Sequence, residues 1–249
     1  MNAPLAILSA LAQEQAGLLE QLQTRSSVRH AGREFHSGLL FGQPVVLALA
    51  RIGKVAAATT TAALIERFGV RGVLFTGVAG GVAQGVRVGD VVLGSGFIQH
   101  DMDASPLFPR YEVPLSGTTV FQADPRWLAD LHASCSRALA LRTYAGQAVQ
   151  LHQGLIASGD RFVNGAQEVS AMVAAMARSG HRPLAVEMEG AAVAQTCADY
   201  GIAFVAVRTI SDRADDNSHV DFSHFIDTVA SDYAQAIVRE WLESGPAGF

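Results

Sequence analysis

The chain of 249 residues is short of several things, and each shortage removes a class of protein. Cysteine appears only at Cys135 and Cys197, in neither a C-x-x-C nor a zinc spacing. A disulfide scaffold and a thiolate metal site are both disfavoured, and the pair is expected to be reduced, buried thiols of a cytoplasmic protein. Charged residues make up only 16 %, the net charge is −5, and there is no basic block. Nucleic acid and anionic lipid are therefore poor partners. No apolar run approaches the roughly 18 residues of a membrane span. The opening "PLAILSALA" lacks a positive n-region and runs straight into Gln13 and Glu14, so it is expected to be a first buried strand rather than a signal peptide.

Apolar residues are plentiful, at 49 %, enough for a sizeable core. Short β-rich runs alternate with helical stretches. The expected strands are Leu5–Ala10, Val45–Ala50, Val73–Thr76, Val91–Ser95, Ala148–Ala157, Ala185–Val186 and Ala203–Ile210. The expected helices are Glu14–Gln23, Lys54–Phe68, Pro125–Ala140, Ala166–Arg178, Gly190–Tyr200 and Ser223–Leu242. Within Lys54–Phe68, Ala57, Ala58, Thr61, Leu64, Ile65 and Phe68 share one face. Asp124 is a candidate N-cap ahead of a first-turn proline. Such alternation predicts a mostly parallel sheet covered on both faces. With no repeat or linker, residues 1–249 are expected to form one domain. The longest irregular stretch is 102–122.

Ligands of open α/β sheets bind beyond the carboxyl ends of strands, so those junctions carry the functional reading. After the first strand stands Glu14, whose bland role is to favour a helix N-terminus. After Thr76 comes "GVAGGVAQGVRVGDVV", too glycine-rich for an ordinary strand yet without dinucleotide or nucleotide-phosphate spacing. It is either a plain turn or a loop whose N–H groups face a small ligand. "SGDRFVNG" sets Phe162 and Val163 in a polar turn, where an aromatic ring stacks on a planar base or joins the core. "EMEGAAVA" brings Glu187 and Glu189 to the start of an apolar helix, as caps or as acceptors for a diol. "RTISDRADD" buries Arg208, which needs a carboxylate partner; Glu14 is one candidate. It then ends a strand on Ser211 and Asp212, where a tucked-in carboxyl can serve as an acid. The residues Asp215, Asp216, His219, Asp221 and His224, and the "HDMD" run from His100 to Asp103, can bind metal but lack a strong ligand spacing.

In order along the chain, "LSALAQE", "IGKVAAA", "TGVAGG…VGDVV", "HDMDAS", "SGDRFVNG", "VEMEGAAVA" and "VRTISDRAD" resemble the nucleoside phosphorylase and hydrolase superfamily, above all its 5′-methylthioadenosine/S-adenosylhomocysteine nucleosidases. The resemblance implies a three-layer αβα sandwich around a mostly parallel, mixed and twisted sheet. It implies a homodimer, no metal or cofactor, a small nucleoside as substrate, and hydrolysis of the N-glycosidic bond to adenine. Carried over residue by residue, Asp212 protonates the base with Ser211 holding it. Glu14 activates water, with Arg208 beside it. Glu189 binds the ribose hydroxyls, Met188 packs on the sugar, Phe162 stacks on adenine and Val163 meets its edge. Ile52 lies near the 5′ substituent, and Val78, Ala79, Gly80 and Glu187 complete the substrate-binding set.

Three features depart from the pattern. Val78 replaces a serine that helps to hold the water. Arg51 replaces a glycine, and Leu107, Phe108 and Pro109 alter the loop expected to line the 5′ pocket from a second subunit. Three alternatives stay open: a phosphate-dependent nucleoside phosphorylase, suggested by Arg51, Arg87 and the glycine loop; a non-catalytic nucleoside-binding protein on the same scaffold, suggested by Val78; and, from His219, Asp221 and His224 alone, a metal hydrolase.

Overall fold

A computed structural model describes residues 3–214, 222, 225, 226 and 229–245. Twelve strands and six helices are described. They are β1 (Leu5–Ser9), α1 (Ala12–Gln21), β2 (Gln23–His30), β3 (Arg33–Leu40), β4 (Gln43–Leu49), α2 (Lys54–Phe68), β5 (Gly72–Gly81), β6 (Val91–Gln99) and β7 (Phe121–Gln122). There follow α3 (Pro125–Leu139), β8 (Thr143–Tyr144), β9 (Gln147–Ala148), β10 (Leu151–Ser158), α4 (Ala166–Arg178), β11 (Pro183–Glu187), α5 (Gly190–Tyr200), β12 (Ala203–Asp212) and α6 (Ala230–Glu243). Two helices packed together, α2 and α5, and a second group, α1, α3 and α6, flank the central sheet, giving the expected three layers.

The sheet runs β11-β10-β6-β12-β5-β1-β4-β3-β2, with β7 beside β6. The pairs β1–β4, β1–β5, β5–β12, β6–β10 and β10–β11 are parallel; β6–β12, β2–β3 and β3–β4 are antiparallel. The buried centre is continuous apolar sequence, as in β1 (LAILS) and β4 (VVLAL), because both faces are covered. One further pairing matters for function. The end of β5 pairs with β11, Val186 opposite Gly80 and Ala185 opposite Gly81, so the sheet curls back on itself. That closure brings the residues after β11 to the ends of β5 and β12.

Local sequence accounts for the helix ends. Asp124 accepts hydrogen bonds from the backbone N–H of Arg126 (3.0 Å) and Trp127 (2.9 Å), with Pro125 in the first turn. Helix α2 stops at Gly69, whose left-handed φ of +59° suits glycine. Trp127 of α3 meets Trp241 of α6 edge-on at 5.4 Å, locking that helical layer. Both cysteines are buried, which pushes their thiols up and leaves them poorly reactive.

Some expected elements need correction. The hairpin β2–β3 is not among the expected strands: β2 (QTRSSVRH) is exposed along its whole length and offers no apolar alternation. Its start at Gln23 also shortens the helix expected to end there. Strand β5 continues through the glycines to Gly81, so the glycine stretch is strand at first and turn only later. The strand expected from Ala148 is a short hairpin, β8–β9, followed by β10 from Leu151. Ser223, where the last helix is expected to begin, lies outside the described residues, and Ala230–Glu243 is helical as expected.

Candidate active site

One cavity of about 450 Å³ opens where β1, β5, β11 and β12 end. It is lined by Ala10, Leu11, Glu14, Ile52, Val78, Ala79, Gly80, Arg161, Phe162, Val163, Val186, Glu187, Met188, Glu189, Ser211, Asp212 and Phe222. The size and the mostly apolar wall with a few polar groups suit a small ligand. Every candidate substrate-binding residue lines it, as do Glu14, Ser211 and Asp212. Arg208 lies beneath.

Glu14 sits in the first turn of α1 and is 2 % exposed. Its Oε2 accepts from the N–H groups of Ala10 (2.8 Å) and Leu11 (2.9 Å), capping its own helix, while Oε1 accepts from Val78 N–H (3.0 Å) across the sheet end. The cap reading therefore holds, and the same bonds fix the carboxylate in the cavity wall. Burial pushes its carboxyl above the ordinary 4.5, against the opposing pull of the Leu11 bond and of the Arg208 charge. Gly77 makes this position available: a Cβ there would stand 2.7 Å from Glu14 Oε1. Gly80 does the same for Asp212, where a Cβ would be 3.0 Å from Oδ1. The glycines of β5 thus leave room for two carboxylates.

Asp212 ends β12 and is 3 % exposed. Ser211 Oγ donates to its Oδ2 (2.8 Å), and Ala214 N–H donates to Oδ1 (2.8 Å). Glu14 and Asp212, 198 residues apart in sequence, therefore line one cavity, Glu14 held by its own helix start and by Val78 N–H, Asp212 by Ser211 and Ala214.

The partner of Arg208 is Glu187, not Glu14. Arg208 Nη2 meets Glu187 Oε2 at 2.9 Å, Nη1 donates to the carbonyls of Phe75 (3.2 Å) and Val207 (3.3 Å), and the guanidinium lies 3.8 Å from the Phe75 ring centre. Glu187 also accepts from Gly190 N–H (2.8 Å to Oε2) and Glu189 N–H (3.2 Å), and from the Ser158 hydroxyl, which in turn accepts from Ala191 N–H (2.8 Å). So α5 is capped by Glu187 and Ser158. Glu189, its N-cap residue, makes no side-chain cap bond. It reaches instead to Gly53 N–H (2.8 Å), ahead of α2. Burial and the neighbouring Glu187 charge push its carboxyl up to about 8.

Phe162 is half-exposed at the rim and meets Phe222 edge-on at 5.9 Å. Val163 is buried beside it. At the mouth, Lys54 Nζ bridges Gln99 (3.0 Å) and Asp101 (2.6 Å), and Asp160 accepts from Lys54 N–H (2.7 Å), tying the loop before Phe162 to the start of α2. "HDMD" is thus used in part as a brace. Among the described residues no group of three or more His, Cys, Asp or Glu is arranged for a metal. Asp215, Asp216, His219, Asp221 and His224 lie outside the described residues.

A family model described as the phosphorylase superfamily matches residues 4–243. The chain belongs to the phosphorylase superfamily. Within the superfamily, a 5′-methylthioadenosine/S-adenosylhomocysteine nucleosidase of Colwellia psychrerythraea is 37 % identical over 94 % of this chain and 93 % of its own. The nucleosidase of that name from Neisseria meningitidis, solved with methylthio-immucillin-A, is 35 % identical with a TM-score of 0.85, covering 98 % of this chain and 100 % of its own. A futalosine hydrolase of Helicobacter pylori is 28 % identical with a TM-score of 0.85, covering 97 % of each chain. The superfamily frame is thus shared by enzymes named for different nucleosides, and the site residues must carry the distinction.

Several residues escape the sequence reading: Ala10, Leu11, Arg161, Val186 and Phe222 in the cavity lining, and Ser158, which holds Glu187. Ser158 had a signal, as the last residue of an apolar strand before "GD". The others do not stand out by type, because Ala10 and Leu11 look like strand continuation and Phe222 like core.

Proposed function

We propose that the chain hydrolyses the N-glycosidic bond of adenine 5′-thionucleosides, 5′-methylthioadenosine and S-adenosylhomocysteine, and releases adenine. The observation that carries this reading is one cavity lined by both Glu14 and Asp212. Cleavage builds positive charge on the sugar and negative charge on the departing base. Asp212 gives its proton to N7, so adenine leaves neutral; Ser211 holds that carboxyl in place. Glu14 takes a proton from water as the water attacks C1′. This is the division of labour of two carboxylates in glycoside hydrolysis, each group contributing about 10²–10⁴-fold. Arg208 acts through Glu187, holding the floor under the sugar. Glu189 receives the ribose hydroxyls, and Met188 packs against the ring. Phe162 stacks on adenine, the Val163 backbone meets its edge, Ala79 and Gly80 border it, and Ile52 borders the 5′ substituent. Val78 contributes to the water site through its N–H, which already orients Glu14.

The lining also weighs against phosphorolysis. Among the described lining residues the one arginine, Arg161, pairs with Glu168 at 3.0 Å, and Arg208 beneath is taken by Glu187. Arg87 pairs with Asp90 at 3.5 Å, away from the cavity. No described cation of the cavity is left to hold a phosphate beside the sugar. A homodimer completes the reading: residues 102–114 line no part of their own chain's cavity, and Leu107 is 84 % exposed, as suits a loop that closes a partner's 5′ pocket. We place the activity in the cytoplasm, in the salvage of methionine-derived nucleosides. The test is chromatography of purified protein with methylthioadenosine, with and without phosphate. Adenine and the free thioribose are expected in both; adenine only with phosphate would replace this reading with the phosphorylase.

A further inference from the structure

A second cleft, about 680 Å³, lies against the nucleoside cavity and shares Ala10, Leu11 and Ile52 with it. Its wall is cationic: Arg29, Arg33 and Arg51 line it, and His36 beside them is pushed toward its neutral form by burial and by the Arg25 charge. Arg33 and Arg51 have no carboxylate partner among the described residues. Arg51 Nη2 donates to the Gly32 carbonyl; Arg33 donates to the carbonyls of Ala31 (3.0 Å) and Ala56 (3.2 Å) and to Thr59 Oγ1 (3.0 Å). Arg33 Nε is buried without a partner, an unsatisfied donor of the kind that costs stability. Burial and the charge of Arg51 both pull the Arg33 titration down, so the two cations press on each other. Glu34, the one carboxylate in the lining, is 3.8 Å from His36 Nε2 and largely exposed.

Arg51 is also strained. Its φ is +67°, a left-handed conformation that suits glycine and disfavours an L side chain by roughly 1–2 kcal/mol. A strained, exposed arginine beside a second unpaired arginine is poor design for stability alone and good design for an anion. Ile52, the next residue, forms the shared wall.

We propose that this cleft receives the anionic end of the 5′ substituent: a carboxylate at the tip of a thioalkyl arm that passes Leu11 and Ile52 and lies between Arg33 and Arg51. Guanidinium groups fit carboxylates with paired, charge-assisted hydrogen bonds, and the bound anion relieves the repulsion between the two cations. The proposal rests on the nucleosidase reading, which sets the 5′ carbon beside Ile52. It makes the chain selective for acidic 5′ arms over uncharged arms of equal length.

The test compares 5′-(carboxypropylthio)-5′-deoxyadenosine with its carboxamide, both by adenine release and by calorimetric Kd. The wild-type chain is expected to favour the carboxylate about fivefold at low salt, the scale of a partly exposed ion pair, and less as salt rises. Arg51→Gly, whose backbone suits glycine, is expected to remove that preference, and Arg51→Lys to keep part of it. A wild-type ratio near one, or a preference that survives Arg51→Gly, overturns the proposal. If neither nucleoside releases adenine the hydrolase reading falls, and the Kd ratio still decides the cleft: equal Kd values, or no binding of either, reject it.

Discussion

Glu187 and Glu189 flank Met188 in the same turn, and both are buried, yet they belong to different regions of the molecule. Glu187 joins the floor: it neutralises Arg208, caps α5 and holds Ser158. Glu189 joins the wall, with one oxygen on Gly53 N–H and the other without a partner among the described residues. Glu14 and Asp212 are also wall residues, and bonds from adjacent backbone or the next side chain orient them, with the Val78 N–H added at Glu14. The difference is what each carboxylate would leave behind. Removing Glu187 strands a buried cation and uncaps a helix. Removing a wall carboxylate strands a few N–H groups beside a cavity that water can enter. Floor charges are therefore bound up with the fold, and wall charges with the chemistry.

The sharpest way to break that division is Asp212→Asn. The amide keeps the shape and the Ser211 contact but cannot hand over a proton in the same way. Turnover is expected to fall about 10³-fold or more, with a melting temperature within a few degrees of wild type. Glu14→Gln should behave alike. Near-normal adenine release by Asp212→Asn would remove it from the role of acid. The floor makes the opposite prediction. Glu187→Ala leaves Arg208 buried and unpaired, a change worth about 3–5 kcal/mol or a melting drop of roughly 10 °C for a chain of this size. If Glu187→Ala melts normally and loses only turnover, floor and wall are one region and the comparison fails.

Gly77→Ala tests the seam between the two. The added Cβ meets Glu14 Oε1, so the carboxylate must shift by a fraction of an ångström or more. A misplacement near 1 Å costs about 10²-fold in rate, and kcat should fall more than KM rises. Unchanged kcat in a correctly folded variant would mean that Glu14 needs no such exact placement.

The same contrast explains what could be read in advance. Helix α2 and the Asp124 cap were legible because local apolar spacing and one side chain specify them. The wall was legible because its residues end strands, where the fold rule and the quoted motifs both point. The floor was less so. Three glutamates, Glu14, Glu187 and Glu189, converge near Arg208, and sequence order does not say which one the guanidinium meets; the curl of β5 onto β11 decides it. Strand β2 was invisible for a simpler reason. All eight of its residues are exposed, so no core selects a pattern in it. Arg51 stood out by type, but its place in a second cleft depends on the β2–β3 hairpin that supplies Arg29 and Arg33.

The smallest effect expected lies in the pH dependence of stability. The Glu189 carboxyl is raised from 4.5 to about 8 in the folded chain. Between those values the folded state holds a proton that the unfolded state has lost, so stability is greatest below about pH 4.5 for this group and declines as pH rises through about 8. Glu14, also raised, adds in the same direction. Glu189→Gln keeps an oxygen for Gly53 N–H and cannot ionise. Its melting temperature relative to wild type should therefore climb by a few degrees between pH 5 and pH 8.5. A difference that stays flat would mean that Glu189 is already ionised in the empty site, its charge held by the wall rather than by a bound proton, and that the diol meets a carboxylate prepared before it arrives.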